Sequence, residues 1–201
     1  LGPGSGKEIE LFAEKYPGWK LDFIEPSQYF QHILRKKFPE STVLKPDYTN
    51  RIYLPSKSID VVLAFSVLHH IANVTFCISE VGRILRQGGL FITREPCSSM
   101  GDWRFNRSAT PNERGVSKQA MIFAANKANL SLVLCIPILL EPINKALKAI
   151  QLDGKIPYPI IYIIDRIVSR IFSVNDITGE IGGIKNLAHL HIFIFSKKLL
   201  D

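Results

Sequence analysis

The segment IDVVLAF, Ile59 to Phe65, constrains the fold of this chain more than any other. It is apolar apart from Asp60, rich in β-branched residues and too short for an independent helix. A run of that kind predicts a strand buried on both faces. Such strands belong to parallel sheets whose faces are covered by crossover helices, so the surrounding chain should alternate strand and helix.

It does. Lys7 to Tyr16 has helical spacing, with Ile9, Phe12 and Ala13 on one face and Pro17-Gly18 as a stop. Lys20 to Ile24 reads as a strand ending at Glu25-Pro26. Ser27 is placed to cap a helix running to about Lys37, and Thr42 to Leu44 is a weaker strand. A helix is predicted from about Val74 to Arg86, closed by Gln87-Gly88-Gly89 as a left-handed cap, with a strand from Leu90 to Thr93. Further on, Val116 to Asn129 reads as helix and Leu130 to Ile136 as strand. Apolar helical segments follow near 138–152 and 158–174, and HLHIFIFSK alternates as a last strand. The expected architecture is a single α/β domain, with a cofactor-binding half over 1–95 and a substrate-side half over 96–201.

Composition narrows the function classes. Apolar residues at 46% and charged residues at 21% over 201 residues suit a folded domain rather than a disordered chain. A net charge of +7 favours anionic partners. The basic residues are scattered, however, and the densest run, Arg35-Lys36-Lys37, fits a solvated helix end. Without aromatic–basic interleaving or finger spacing, the sequence argues against nucleic acid. Cys77, Cys97 and Cys135 form no CxxC pair, which argues against a disulfide framework or a metal site and for buried thiols in a reducing compartment. The most apolar stretch, IPYPIIYIIDRIVSRIFSV, is broken by Asp165, Arg166 and Arg170, so no spanning helix is expected. A cytoplasmic location is the expectation.

The opening LGPGSG places glycines at 2, 4 and 6, where the backbone can turn sharply and approach a ligand. Its companion is Glu25, nineteen residues beyond Gly6 at the end of a predicted strand. An acid there accepts hydrogen bonds from both hydroxyls of a ribose. The dinucleotide fingerprint GxGxxG would need its third glycine where Lys7 stands, so a nicotinamide-dependent oxidoreductase is disfavoured.

From residue 49 to residue 94, LPSKSIDVVLAFSVLHHI and SEVGRILRQGGLFITREP resemble the class I S-adenosylmethionine-dependent methyltransferases. The likeness is to the small-molecule branch typified by ubiquinone and menaquinone biosynthesis methyltransferases. It implies a Rossmann-like sheet, mostly parallel with an antiparallel last strand, and S-adenosyl-L-methionine as cofactor. On that resemblance Gly2, Pro3, Gly4 and Gly6 line the methionine and ribose side. Glu25 holds the ribose, and Pro26 and Ser27 border the adenine. Asn50, with Arg51 beside it, stands where the family commonly has an acid facing the adenine amino group, and Asp47 is a second candidate. Phe65, Ser66 and His70 border the methionine end. His69, His70 and Glu95 are candidates for a general base, with no firm assignment among them.

The chain departs from the family's pattern in three ways. The family's first strand is represented by Leu1 alone, which suggests a piece of a longer chain with a helix and strand upstream. Asn50 replaces the acid, and Gln87 stands where the family usually has proline. These departures support the alternative of a non-catalytic, methyltransferase-like binding domain. On the substrate side, Trp103, Arg104, Phe105 and Arg107 suit a lid over an organic acceptor, and Asn112-Glu113-Arg114 is reminiscent of methyltransferases of glycan biosynthesis. The insert 137–174 fits a cap over an apolar or lipid-linked acceptor, a dimer face, or a peripheral membrane contact through 158–174. In the last role Asp165, Arg166, Ser169 and Arg170 would form its polar face.

Overall fold

A computed structural model describes residues 1–97, 115–138, 140–152, 155–172 and 190–199. The elements follow the predicted alternation: α1 (Lys7–Lys15), β1 (Asp22–Ile24), α2 (Gln28–Lys37), β2 (Thr42–Leu44), β3 (Ile59–Phe65), a short 3-10 turn (Leu68–His70), α3 (Val74–Ile84) and β4 (Leu85–Pro96). Then come α4 (Lys118–Lys127), β5 (Leu130–Ile138), α5 (Leu140–Ala149), α6 (Tyr158–Phe172) and β6 (Leu190–Lys197).

The strands form a parallel pair, β1-β2, and a four-stranded sheet in the order β3-β4-β6-β5. β3 and β4 run parallel, and β6 is antiparallel to both β4 and β5. This is the Rossmann-like arrangement with an antiparallel last strand that the sequence leads one to expect. The two sheets are joined through the first residues. The main-chain nitrogen of Leu1 donates to Leu63 O at 2.6 Å, and Gly2 N donates to Ile24 O at 2.8 Å. Leu1 and Gly2 thus stand between β1 and β3, bonded to both sides as a central strand would be.

The core lies between this sheet and helices α3 and α4. Phe91, Phe193 and Phe195 are fully buried, and Ile78, Val81 and Ile84 of α3 recur at helical spacing against them. Gly82 is where α3 meets the chain after α4: a Cβ there would collide with the Ala128 carbonyl. Ser27 and Ser117 cap α2 and α4, accepting from Phe30 N and Ala120 N.

The structure corrects several boundaries. α3 stops at Ile84 because Leu85 is already extended and paired with Ile59, and Val61 pairs next with Leu90. Residues 86–89 therefore bulge out opposite Asp60 instead of capping a helix. Gly88 is left-handed (φ 73°) as expected, but it turns this bulge, where Arg86 donates to Asp60 at 2.7 Å. β5 continues through Pro137 to Ile138, which an edge strand tolerates.

The polar face expected on α6 is also overturned. Asp165 and Ser169 are buried, bonded to each other at 3.3 Å, and Arg166 is half-buried. The helix has an apolar and a polar side, and packing turns the polar one inward. Among the described residues no helix is long and apolar enough to cross a membrane. The lid candidates Trp103, Arg104, Phe105 and Arg107, and Asn112-Glu113-Arg114, lie outside the described residues.

Candidate functional site

A cavity of about 1060 Å³ opens at the carboxyl ends of β1 and β3. That is where ligands sit in sheets of this topology. It brings together Gly2, Gly4, Glu25, Pro26, Asn50, Ser66 and His70 from the sequence-predicted set, with Asp47 as well. Pro3, Gly6, Ser27, Arg51 and Phe65 do not line it.

Glu25 is the hinge of the arrangement. It is only 4% exposed. Gly4 N donates to its Oε2 at 3.1 Å and Ser27 N to its Oε1 at 2.9 Å, while Gln31 holds its main-chain carbonyl at 2.7 Å. A carboxylate offers about four acceptor sites, so it can hold the glycine turn and still receive hydroxyl donors from the cavity. Gly2 and Gly4 both have φ of 54°, and a Cβ on Gly2 would come within 2.7 Å of the Val67 side chain. The residues off the cavity support it from behind. Gly6 caps α1 and Ser27 caps α2. Phe65 turns its ring to Phe12 and to the Arg94 guanidinium.

The loop through Asp47, Asn50 and Tyr53 also lines the cavity. Asp47 folds it by accepting from Thr49 N and Oγ1, Arg51 N and Tyr53 OH at 2.6–3.0 Å. Arg51 is spent on this turn and on the Tyr53 ring, whereas Asn50, left-handed at φ 67°, lines the cavity. The Thr49 hydroxyl first, then the Arg51 N–H, hold the Asp47 carboxyl down at about 2. A depressed carboxyl contributes order that is complete above its ordinary value of 3.8 and lost as pH falls through about 2. Amide protection at Thr49 and Arg51 should therefore persist to about pH 4 and disappear between pH 4 and 2. Asp47→Ala should abolish it at neutral pH, and unchanged protection in that variant would contradict this role.

Two candidates for the base, His69 and Glu95, do not line the cavity. Glu95 is completely buried behind the cavity wall. Its carboxylate accepts from Val67 N, Leu68 N and His69 N at 2.8–3.3 Å, and it is bonded to His69 Nδ1 at 2.7 Å. This staple shapes the 3-10 turn and leaves His69 buried. His70, one residue on, is exposed at the cavity rim.

Sequence reasoning missed Phe30, Lys45, Tyr48, Tyr53, Val67, Ile71 and Cys77 as lining residues. Tyr48 and Tyr53 flank Asn50, a pairing legible as a loop feature but not as a wall. Burial pushes the Cys77 thiol up to about 11, so it is an inert wall group at neutral pH. Glu80 and Arg83 also had no assigned task in the motif. They clamp the loop: Ile52 N donates to Glu80, and Arg83 donates to Glu80, Ile52 O and Leu54 O. The Arg83 hydrogen bond in turn lowers the Glu80 carboxyl. No cluster of three metal-ligating side chains occurs among the described residues.

Strand order, antiparallel last strand and a glycine-and-acid cavity at the carboxyl edge define the class I fold of S-adenosylmethionine-dependent methyltransferases. Residues 1–93 match the family model described as methyltransferase domain. The chain is 28% identical over 114 residues to the human thiol S-methyltransferase TMT1B. That alignment takes in 52% of this chain and 45% of the human protein, so the chain spans under half the length of this relative. Among solved structures, an S-adenosylmethionine-dependent methyltransferase from Mesorhizobium loti superposes with a TM-score of 0.63 at 14% identity, covering 98% of this chain and 88% of the other. The [4+2]-cyclase SpnF superposes at 0.64 with 15% identity, covering 99% and 73%. These likenesses establish the fold.

Proposed function

We propose that the chain binds S-adenosylmethionine in this cavity and transfers its methyl group to a small-molecule nucleophile. The observation that carries the reading is the cradle in which the Gly2–Gly4 turn is bonded to the Glu25 carboxylate, in a cavity that Asn50 also lines. The residues present fit the cofactor. Glu25 retains acceptor capacity for ribose hydroxyls. Ile24, Pro26, Phe30 and Ile52 offer apolar surface for a base, and the Asn50 amide oxygen can accept from an amino group. The bound cofactor supplies an electrophilic methyl on a sulfonium. The protein's part is to align the acceptor with it and exclude water. The cavity reaches the upper end of ordinary ligand-site volumes, leaving room for an acceptor beside a nucleoside. His70 at the rim is the group we assign to take the acceptor's proton where one must leave. The human relative makes thiols the first acceptor class to test.

Calorimetric titration with S-adenosylhomocysteine tests the reading. Binding is expected for the chain, and Glu25→Gln should weaken it about 10–100-fold, the worth of one or two hydrogen bonds to a charged group. A transfer assay with labelled S-adenosylmethionine should then separate thiols from phenols and amines. Absence of binding, or equal binding by Glu25→Gln, would overturn the proposal. Cofactor binding without transfer to any acceptor would favour the alternative of a non-catalytic binding domain, and SpnF bears a name other than methyltransferase on this fold.

A further inference from the structure

Helix α6 is packed with its polar side inward. Ile161, Asp165 and Ser169 recur every four residues and are 5%, 3% and 0% exposed. The opposite face carries Ile160, Ile163, Ile164 and Ile167 at 48%, 56%, 39% and 57% exposure. These fall at helical spacing on one side. A surface helix in water shows the reverse, so this face is built for an apolar contact.

Topology places it. β5 is antiparallel to β6, which is antiparallel to β4, so β5 ends at the same sheet edge as β3 and β4. The insert bearing α5 and α6 therefore begins at the edge that holds the cavity. Charge indicates the partner. Residues 137–174 contain five Lys or Arg against three acids, and one of the acids, Asp165, is turned inward. Lys148 and Lys155 are exposed. An exposed apolar helix face on a segment of net positive charge suits an interfacial helix.

We propose that the isoleucine face of α6 lies in the surface of an anionic lipid bilayer, without crossing it, and turns the cavity edge of the sheet toward the membrane. The docking itself does not depend on the methyl-transfer reading. Flotation with phosphatidylcholine vesicles, with and without phosphatidylserine, tests it. The chain should float with the anionic vesicles about tenfold or more better than with neutral ones, and added salt should weaken binding. Ile163→Asp/Ile167→Asp should lose this binding about tenfold or more while keeping its thermal transition and its response to S-adenosylhomocysteine. Both side chains are exposed, so the variant should fold. Failure to float with either vesicle would overturn the proposal, as would binding that the double variant retains. Light scattering that shows a dimer dissolved by the same substitutions, without vesicle binding, would assign the face to a second copy instead.

Discussion

Glu95→Ala is expected to lower stability by about 3–5 kcal/mol, the range for removing one member of a buried charged network. The substitution strands Val67 N, Leu68 N and His69 N without their acceptor, and takes the partner from His69 Nδ1. Water cannot reach Leu68 N and His69 N, because Glu95 and Leu68 are 0% exposed and His69 6%, whereas Val67 N is half-buried at the cavity. At roughly 2–4 °C per kcal/mol for a domain of this size, the thermal midpoint should fall by roughly 6–20 °C. Glu95→Gln keeps one acceptor oxygen but presents an amide donor toward His69, and should lose about half as much. Thermal unfolding followed by circular dichroism reads both. A glutamine variant that melts like the parent but fails to turn over would restore Glu95 as a candidate base and refute the staple.

The second large effect belongs to Glu80. Glu80→Ala should cost about 2–4 kcal/mol, because Ile52 N loses its acceptor and Arg83 its carboxylate. Arg83 would keep the carbonyls of Ile52 and Leu54, which sets this cost below that of Glu95. The consequence reaches the cavity, because Ile52 is itself a wall residue at the end of the Asp47–Tyr53 loop. Affinity for S-adenosylhomocysteine should therefore fall together with the unfolding midpoint, although Glu80 lines no part of the cavity. Chemical denaturation and calorimetry on Glu80→Ala, Arg83→Ala and the double variant check this. Additive losses would show that the two act separately and not as one clamp.

The division of labour between sequence and fold is clearest at the acids. Glu25 was legible because it ends a short strand after a glycine turn, and the structure adds that it is bonded to that turn. Glu95 also ends a strand, and by position alone it had an equal claim to face a ligand. Only the placement of the chain from Val67 to His69 over its carboxylate turned it into a buried staple. Asp47, Asn50 and Arg51 show the same limit within one loop. Residue type and spacing singled out all three, but the Asx turn decided that Asp47 and Arg51 hold the loop, with Asp47 and Asn50 lining the cavity and Arg51 off it.

What the sequence determined by itself is whatever is encoded locally. The apolar runs, the serine caps on α2 and α4 and the spacing of the first glycines gave the alternation of strands and helices, and with it the sheet edge where a ligand sits. Those signals act through backbone conformation and period, which neighbouring residues specify on their own. Tertiary structure decided the rest. The bulge at 86–89 arose because Leu85 found Ile59. The inward face of α6 was chosen by its fit to the body of the protein, which buries Asp165 and Ser169 and leaves Ile163 and Ile167 outside. An acid at a strand end lines the cavity or becomes a buried staple according to which main-chain nitrogens arrive within hydrogen-bonding distance, and Gly4 and Leu68 come from segments distant in sequence.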